Sequence, residues 1–115
     1  MALASPVQAS GGLFCEGEGG EIDIAMGRLV VMQVLGAFAE IDGERYSTGP
    51  ERGEGTPFAV GQAFAEGDEM MVDFVDPNFE DIIVSLRVSW DAAAESYSGV
   101  LSTPTRRVEV RCMEG

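Results

Sequence analysis

Four oxygen-bearing side chains, Asp73, Asp76, Asn78 and Asp81, fall within one short stretch, and together they could serve a hard cation. Asp76, Asn78 and Glu80 take positions 1, 3 and 5 of an EF-hand-like loop. The sixth position holds Asp81 in place of Gly, and the twelfth holds Arg87 in place of Glu. An EF-hand is thereby excluded. What the spacing leaves is a looser calcium site on Asp73, Asp76, Asn78 and Asp81, beside the plainer alternative of a solvated acidic turn.

Paired carboxylates are the other chemistry on offer. Glu66, Asp68, Glu69 and Asp73 lie close in sequence, and two carboxyl groups can hydrolyse a glycoside without histidine. One of the pair must then be buried with a raised pKa, whereas these four sit among turn residues, where carboxylates stay solvated. The chain has no His and no Lys. That excludes Ser-His-Asp and Cys-His catalysis, zinc sites that need imidazole, lysine Schiff bases and the phosphate-binding loop. Gly17, Glu18, Gly19 and Gly20 lack the third spaced glycine of a dinucleotide loop. The expectation is a chain that is not an enzyme and uses no cofactor.

Charge narrows the partners. Twenty acidic residues against seven basic ones, all Arg, give a net charge of −13 over 115 residues. Such a surface repels phosphate backbones, which need neutralising cations, and anionic lipid headgroups. It steers instead toward a basic protein, unless the acidity is a proteome-wide bias. Arg106 and Arg107 stand out near the C-terminus. They either pair with acids on a neighbouring strand or form an interface, for which Trp90, at a strand end beside Asp91, is a further candidate anchor.

Cys15 and Cys112 lie near opposite ends of the chain. In an exported domain two such cysteines suggest one bridge from first strand to last; the alternative is two buried thiols behaving as small hydrophobes. Val7, Gln8 and Ala9 make a small-x-small pattern of the kind signal peptidase cuts after. Residues 1–10 are accordingly expected to be a disordered remnant of a signal-peptide region, and 11–115 a single β domain, periplasmic or secreted. No apolar run approaches a membrane span.

The elements that would position these groups read as strands. Turn signals recur every eight to twelve residues, the spacing of a sandwich or barrel. Asp42 and Gly43 form the best hairpin signal, because both tolerate positive φ. Val84, Leu86 and Val88 alternate with Ser85, Arg87 and Ser89, and Ile82 and Trp90 extend the same series. Met70, Val72 and Phe74 repeat the pattern, as do Ile22, Ile24 and Met26, and Val108, Val110 and Cys112. Phe14, Phe58, Phe64, Phe74 and Trp90 are expected in the core, the interface role being the alternative for Trp90. Residues 26–41 fit two strands with a bend at Gly36, or alternatively a helix, which would make the fold α+β.

The fold expected is all-β, a small antiparallel barrel or closed sandwich of about eight mostly sequential strands. Small disulfide-tied periplasmic barrels that inhibit lysozymes are similar in general shape. The Ser-Gly-x-x-Tyr pattern of their c-type family is missing, since Val100, Leu101 and Ser102 follow Ser98 and Gly99. Three functions fit: a protein-binding module, inhibitor-like toward a basic secreted hydrolase such as lysozyme; a small-molecule binder using the barrel interior; and a calcium-stabilised structural or adhesive module.

Overall fold

The computed structural model describes residues 10–28 and 32–114. Among them the chain forms ten strands: β1 Ser10–Gly17, β2 Gly20–Arg28, β3 Met32–Ile41, β4 Glu44–Ser47, β5 Thr56–Pro57, β6 Ala59–Glu66, β7 Glu69–Val75, β8 Ile82–Asp91, β9 Ser96–Thr103 and β10 Arg106–Glu114. The described residues contain no helix beyond one 3-10 turn at Pro50–Arg52, so the helical alternative over 26–41 is replaced by β2 and β3. Of the expected leader remnant, residues 1–9 lie outside the described residues; Ser10 already pairs with Gly27 in β1. None of the described helices is long and apolar enough to cross a membrane.

The order across the sheet is β5-β4-β3-β2-β1-β10-β9-β8-β7-β6. Every neighbour is therefore the next strand in sequence, except that β10 returns to pair with β1. That pairing turns an open meander into a barrel-like ring. Cys15 and Cys112 stand directly opposite one another in it and are joined by a disulfide across a sequence separation of 97.

The remaining seam lies where residues 56–66 change partners. Thr56 and Pro57 run parallel to Tyr46 and Ser47 of β4, an arrangement absent from the antiparallel expectation. The Phe58 amide then donates to the Ser47 carbonyl at 3.1 Å, and from Ala59 onward the same segment pairs antiparallel with β7. Phe58 packs its ring 5.8 Å from Tyr46 and 4.4 Å from Phe74. An aromatic stack thus bridges the seam from inside.

Alternation holds for most of the interior. Ile22, Ile24, Met26, Val72, Phe74, Leu86, Leu101, Val108 and both cysteines belong to one buried cluster. Four placements differ from expectation: Trp90, at the end of β8, is exposed, and register explains the other three. Gly61 is an extra residue in β6 between pairs Val60 with Phe74 and Gln62 with Asp73. A bulge shifts the alternation by one, so Ala63 turns inward and Phe64 is 45% exposed. Ile83 is likewise extra in β8, between Val75 paired with Ile82 and Phe74 paired with Val84, and Ile82 is exposed. Phe14 lies between Leu13 and Cys15, which take the inside, and so faces outward across from Asp23 and Met113. A third bulge, at Leu35 beside Gly36, supplies the irregularity anticipated in β3.

Candidate interaction surface

Asp76 organises the connection between β7 and β8. Its carboxylate accepts the amide hydrogens of Asn78 at 3.1 Å, Glu80 at 2.8 Å and Asp81 at 2.6 Å. Its carbonyl accepts the Phe79 amide at 2.8 Å, and its own amide donates to the Asp81 carbonyl at 3.1 Å. Asp and Asn commonly cap turns this way because a short side chain can mimic a backbone acceptor. The amide of Asp81 above all, with those of Glu80 and Asn78, holds the Asp76 carboxyl below its ordinary range.

Phe79 sits at the tip of that closed loop with φ of 59° and 63% of its surface exposed. Both features oppose stability. A bulky side chain in the left-handed region strains the backbone by about 1–2 kcal/mol, and an exposed ring forgoes burial. Ile82, also exposed, follows three residues later. The loop is a fixed mount for an aromatic knob, and Pro77 stiffens its approach.

The calcium candidates are therefore spread over two different tasks. Asp76 serves the loop's own amides. Asp73 is nearly fully buried on β7, on the outer side, under a layer of neighbouring side chains. One of its oxygens accepts from Ser85 Oγ and Arg87 Nη1, both at 2.8 Å; the other accepts from Gln62 Nε2 at 2.8 Å and Arg87 Nη2 at 3.2 Å. Among the described residues no three His, Cys, Asp or Glu side chains group closely enough to hold a metal ion.

Burial alone would raise the Asp73 carboxyl. The hydrogen bonds from Arg87, Gln62 and Ser85, with the Arg87 charge, outweigh it and hold the group low. Because the folded value lies below the unfolded value of about 3.9, this stabilisation is complete above that pH. It disappears as pH falls through the lower folded value. Asp73→Ala is expected to destabilise the domain by about 2–4 kcal/mol at neutral pH, through orphaned donors on Gln62 and Ser85. Urea melts between pH 2 and 7 (roughly the span of carboxylate titration) should show a shallower acid decline for the variant. An equally steep decline would show that Asp73 is not coupled.

The expected interface residues do not meet. Arg106 begins β10 opposite Thr103 and donates through Nε to both Asp42 oxygens, at 3.1 and 2.9 Å. Its Nη2 reaches the Glu18 carbonyl at 3.4 Å, while the Asp42 amide donates to the Gly19 carbonyl at 2.8 Å. Arg106 thus ties three turns together at one end of the barrel, and Arg107 is exposed beside it. Trp90 pairs with Tyr97, six residues before Thr103 along β9 and so about 20 Å away at the strand rise. There its ring meets Tyr97 edge-on at 5.2 Å and is 38% exposed. Near that end an open groove crosses the outer sheet surface, lined in part by Phe64, Glu66, Glu69, Met71, Arg87 and Ser89.

By strand direction the Phe79 loop shares the Arg106 end. Glu80 and Asp81 in the loop and Glu18, Glu21 and Glu44 around the adjoining turns are exposed there, and the Arg106 charge is already matched by Asp42. The sequence places a turn at Asp76, Pro77 and Asn78 and begins the next strand at Phe79, whereas β8 begins at Ile82 and Phe79 belongs to the loop. Its signal was Pro77 and Asn78 followed by an aromatic residue with no apolar partner at strand spacing. No protein-family model, curated protein or solved structure matches the chain.

Proposed function

We propose that this is an exported, inhibitor-like binding module that inserts Phe79 into an apolar pocket of a basic secreted protein, with a hydrolase such as lysozyme as the model partner. The observation that carries the reading is an exposed aromatic ring held in a left-handed conformation on a loop that Asp76 makes rigid. Rigid presentation lowers the ordering cost of association, and buried aromatic anchors dominate interface energies. The surrounding carboxylates supply steering toward a positive surface. A core-filling cluster of Phe74, Met26, Met70 and their neighbours occupies the interior, which favours a surface role over ligand storage inside the barrel. The disulfide accords with an oxidising compartment.

Phe79→Gly tests the reading because stability and binding should move in opposite directions. Glycine relieves the left-handed strain, so the variant should unfold at equal or higher urea, by about 1 kcal/mol. Its affinity for an immobilised basic lysozyme, measured at low and high salt, should fall roughly 30-fold or more, the loss expected of a hot spot. Capture that ignores salt, or that survives the substitution unchanged, would rule the idea out.

A further inference from the structure

We infer that the seam between β3 and β6 is a self-association edge, on which a second copy of this chain docks strand against strand. The inference is independent of the Phe79 reading, because it concerns another part of the molecule. Three observations converge. The hydrogen-bonded order ends at β6, and among the described residues no ladder joins β6 to β3 although the two strands pack near one another. An edge strand presents unpaired amides and carbonyls, which only another extended segment satisfies well.

Second, the stretches flanking the seam carry no charged side chain of their own between Gln33 and Ala39 or between Ala59 and Ala65; the acids Glu40 and Glu66 lie toward the strand ends, and Arg52 reaches Gly36 from the neighbouring turn. No charged residue occurs in 29–39 or in 55–65, in a chain whose net charge is −13. Two copies so acidic repel one another over most of their surface. They can approach along these uncharged stretches, where repulsion is weakest and a basic partner finds least to grip. Third, two of the exposed large hydrophobics, Leu35 and Phe64, lie on these two strands. An isologous contact meets its own like. An antiparallel β6 pair centred on Gln62 and Ala63 sets each Glu66 opposite the other copy's Ala59, so the one acid of the strand avoids its counterpart.

The native strand edges are bent by the bulges at Gly61 and Leu35, which limits growth beyond a pair, since a bulge twists the edge away from further strands. The expected product is a closed dimer, not a fibre.

Sedimentation of the full chain over a wide concentration range should show a reversible monomer–dimer equilibrium. It should strengthen as salt rises, because screening weakens repulsion between the acidic copies. Phe64→Glu should weaken dimerisation about tenfold or more, and Leu35→Glu should act in the same direction; both residues are exposed in the monomer, so circular dichroism and melting should stay close to the parent. Phe79→Gly should leave the equilibrium unchanged. A parent that stays monomeric at high salt, or a Phe64→Glu variant that dimerises as the parent does, overturns the inference.

Discussion

Replacing Cys15 and Cys112 together with Ala is expected to lower unfolding stability by about 4–5 kcal/mol, the chain-entropy value for a closed loop of this length. The bond spans a sequence separation of 97, so almost the whole described chain lies inside it. Released, the denatured ensemble regains nearly all of its freedom. A domain of this size commonly has about 5–15 kcal/mol in total, so the double variant should sit near the edge of folding. Its melting temperature should drop on the order of 20 °C. Both half-cystines are almost fully buried, so thiol reagents should reach the bond only after opening. Reduction under native conditions should therefore be slow and should accelerate in step with added urea. A double variant that melts within a few degrees of the parent would show that the paired β1 and β10 strands hold the ring without their covalent link.

Phe58→Ala is expected to cost about 3–5 kcal/mol, the range for deleting a buried aromatic side chain. Its consequence should also be local. Phe58 stands where residues 56–66 leave β4 and join β7, and its ring lies between Tyr46 and Phe74. Without the ring, the two sides of the seam lose their shared filling. Hydrogen exchange at the amide of position 58, which donates to Ser47, should then quicken more than exchange in β1 or β10. Phe58→Leu keeps apolar volume and should cost less, about 1–2 kcal/mol; the difference between the two variants measures what the flat ring contributes. Uniform loosening across all strands would mean that the seam is no weaker than the rest of the barrel.

How the two ends of the molecule divide their work bears on both effects. At the Arg106 end, one guanidinium braces the turns at Glu18 and Asp42, and the Phe79 loop lies at the same end by strand direction. At the other end, Trp90 meets Tyr97 edge-on, and Phe64 stands exposed on β6. The proposed binding loop is thus at the braced end, while the proposed self-association edge lies along the seam.

Much of this architecture was legible from residue order alone. Alternation of Ile22 with Ile24, of Val72 with Phe74, and of Val108 with Val110 marks strands because successive side chains leave a strand on opposite faces. Asp42 and Gly43 marked their hairpin because both residues adopt positive φ, as they do at 53° and 85°. The pairing of Cys15 with Cys112 followed from two cysteines at opposite ends of a meander. Tertiary structure alone decided the rest. A single bulge at Gly61 or Ile83 reverses every facing beyond it, so Phe64 and Ile82 stand outside although their spacing placed them within. Asp73 is buried on a nominally wet face because Gln62, Ser85 and Arg87 converge on it from adjoining strands. The left-handed turn of Phe79 runs against that residue's own preference but is set locally, by Asp76 gathering the amides of Asn78, Glu80 and Asp81. The convergence on Asp73 instead depends on how neighbouring strands return to one another, which no short window of sequence contains.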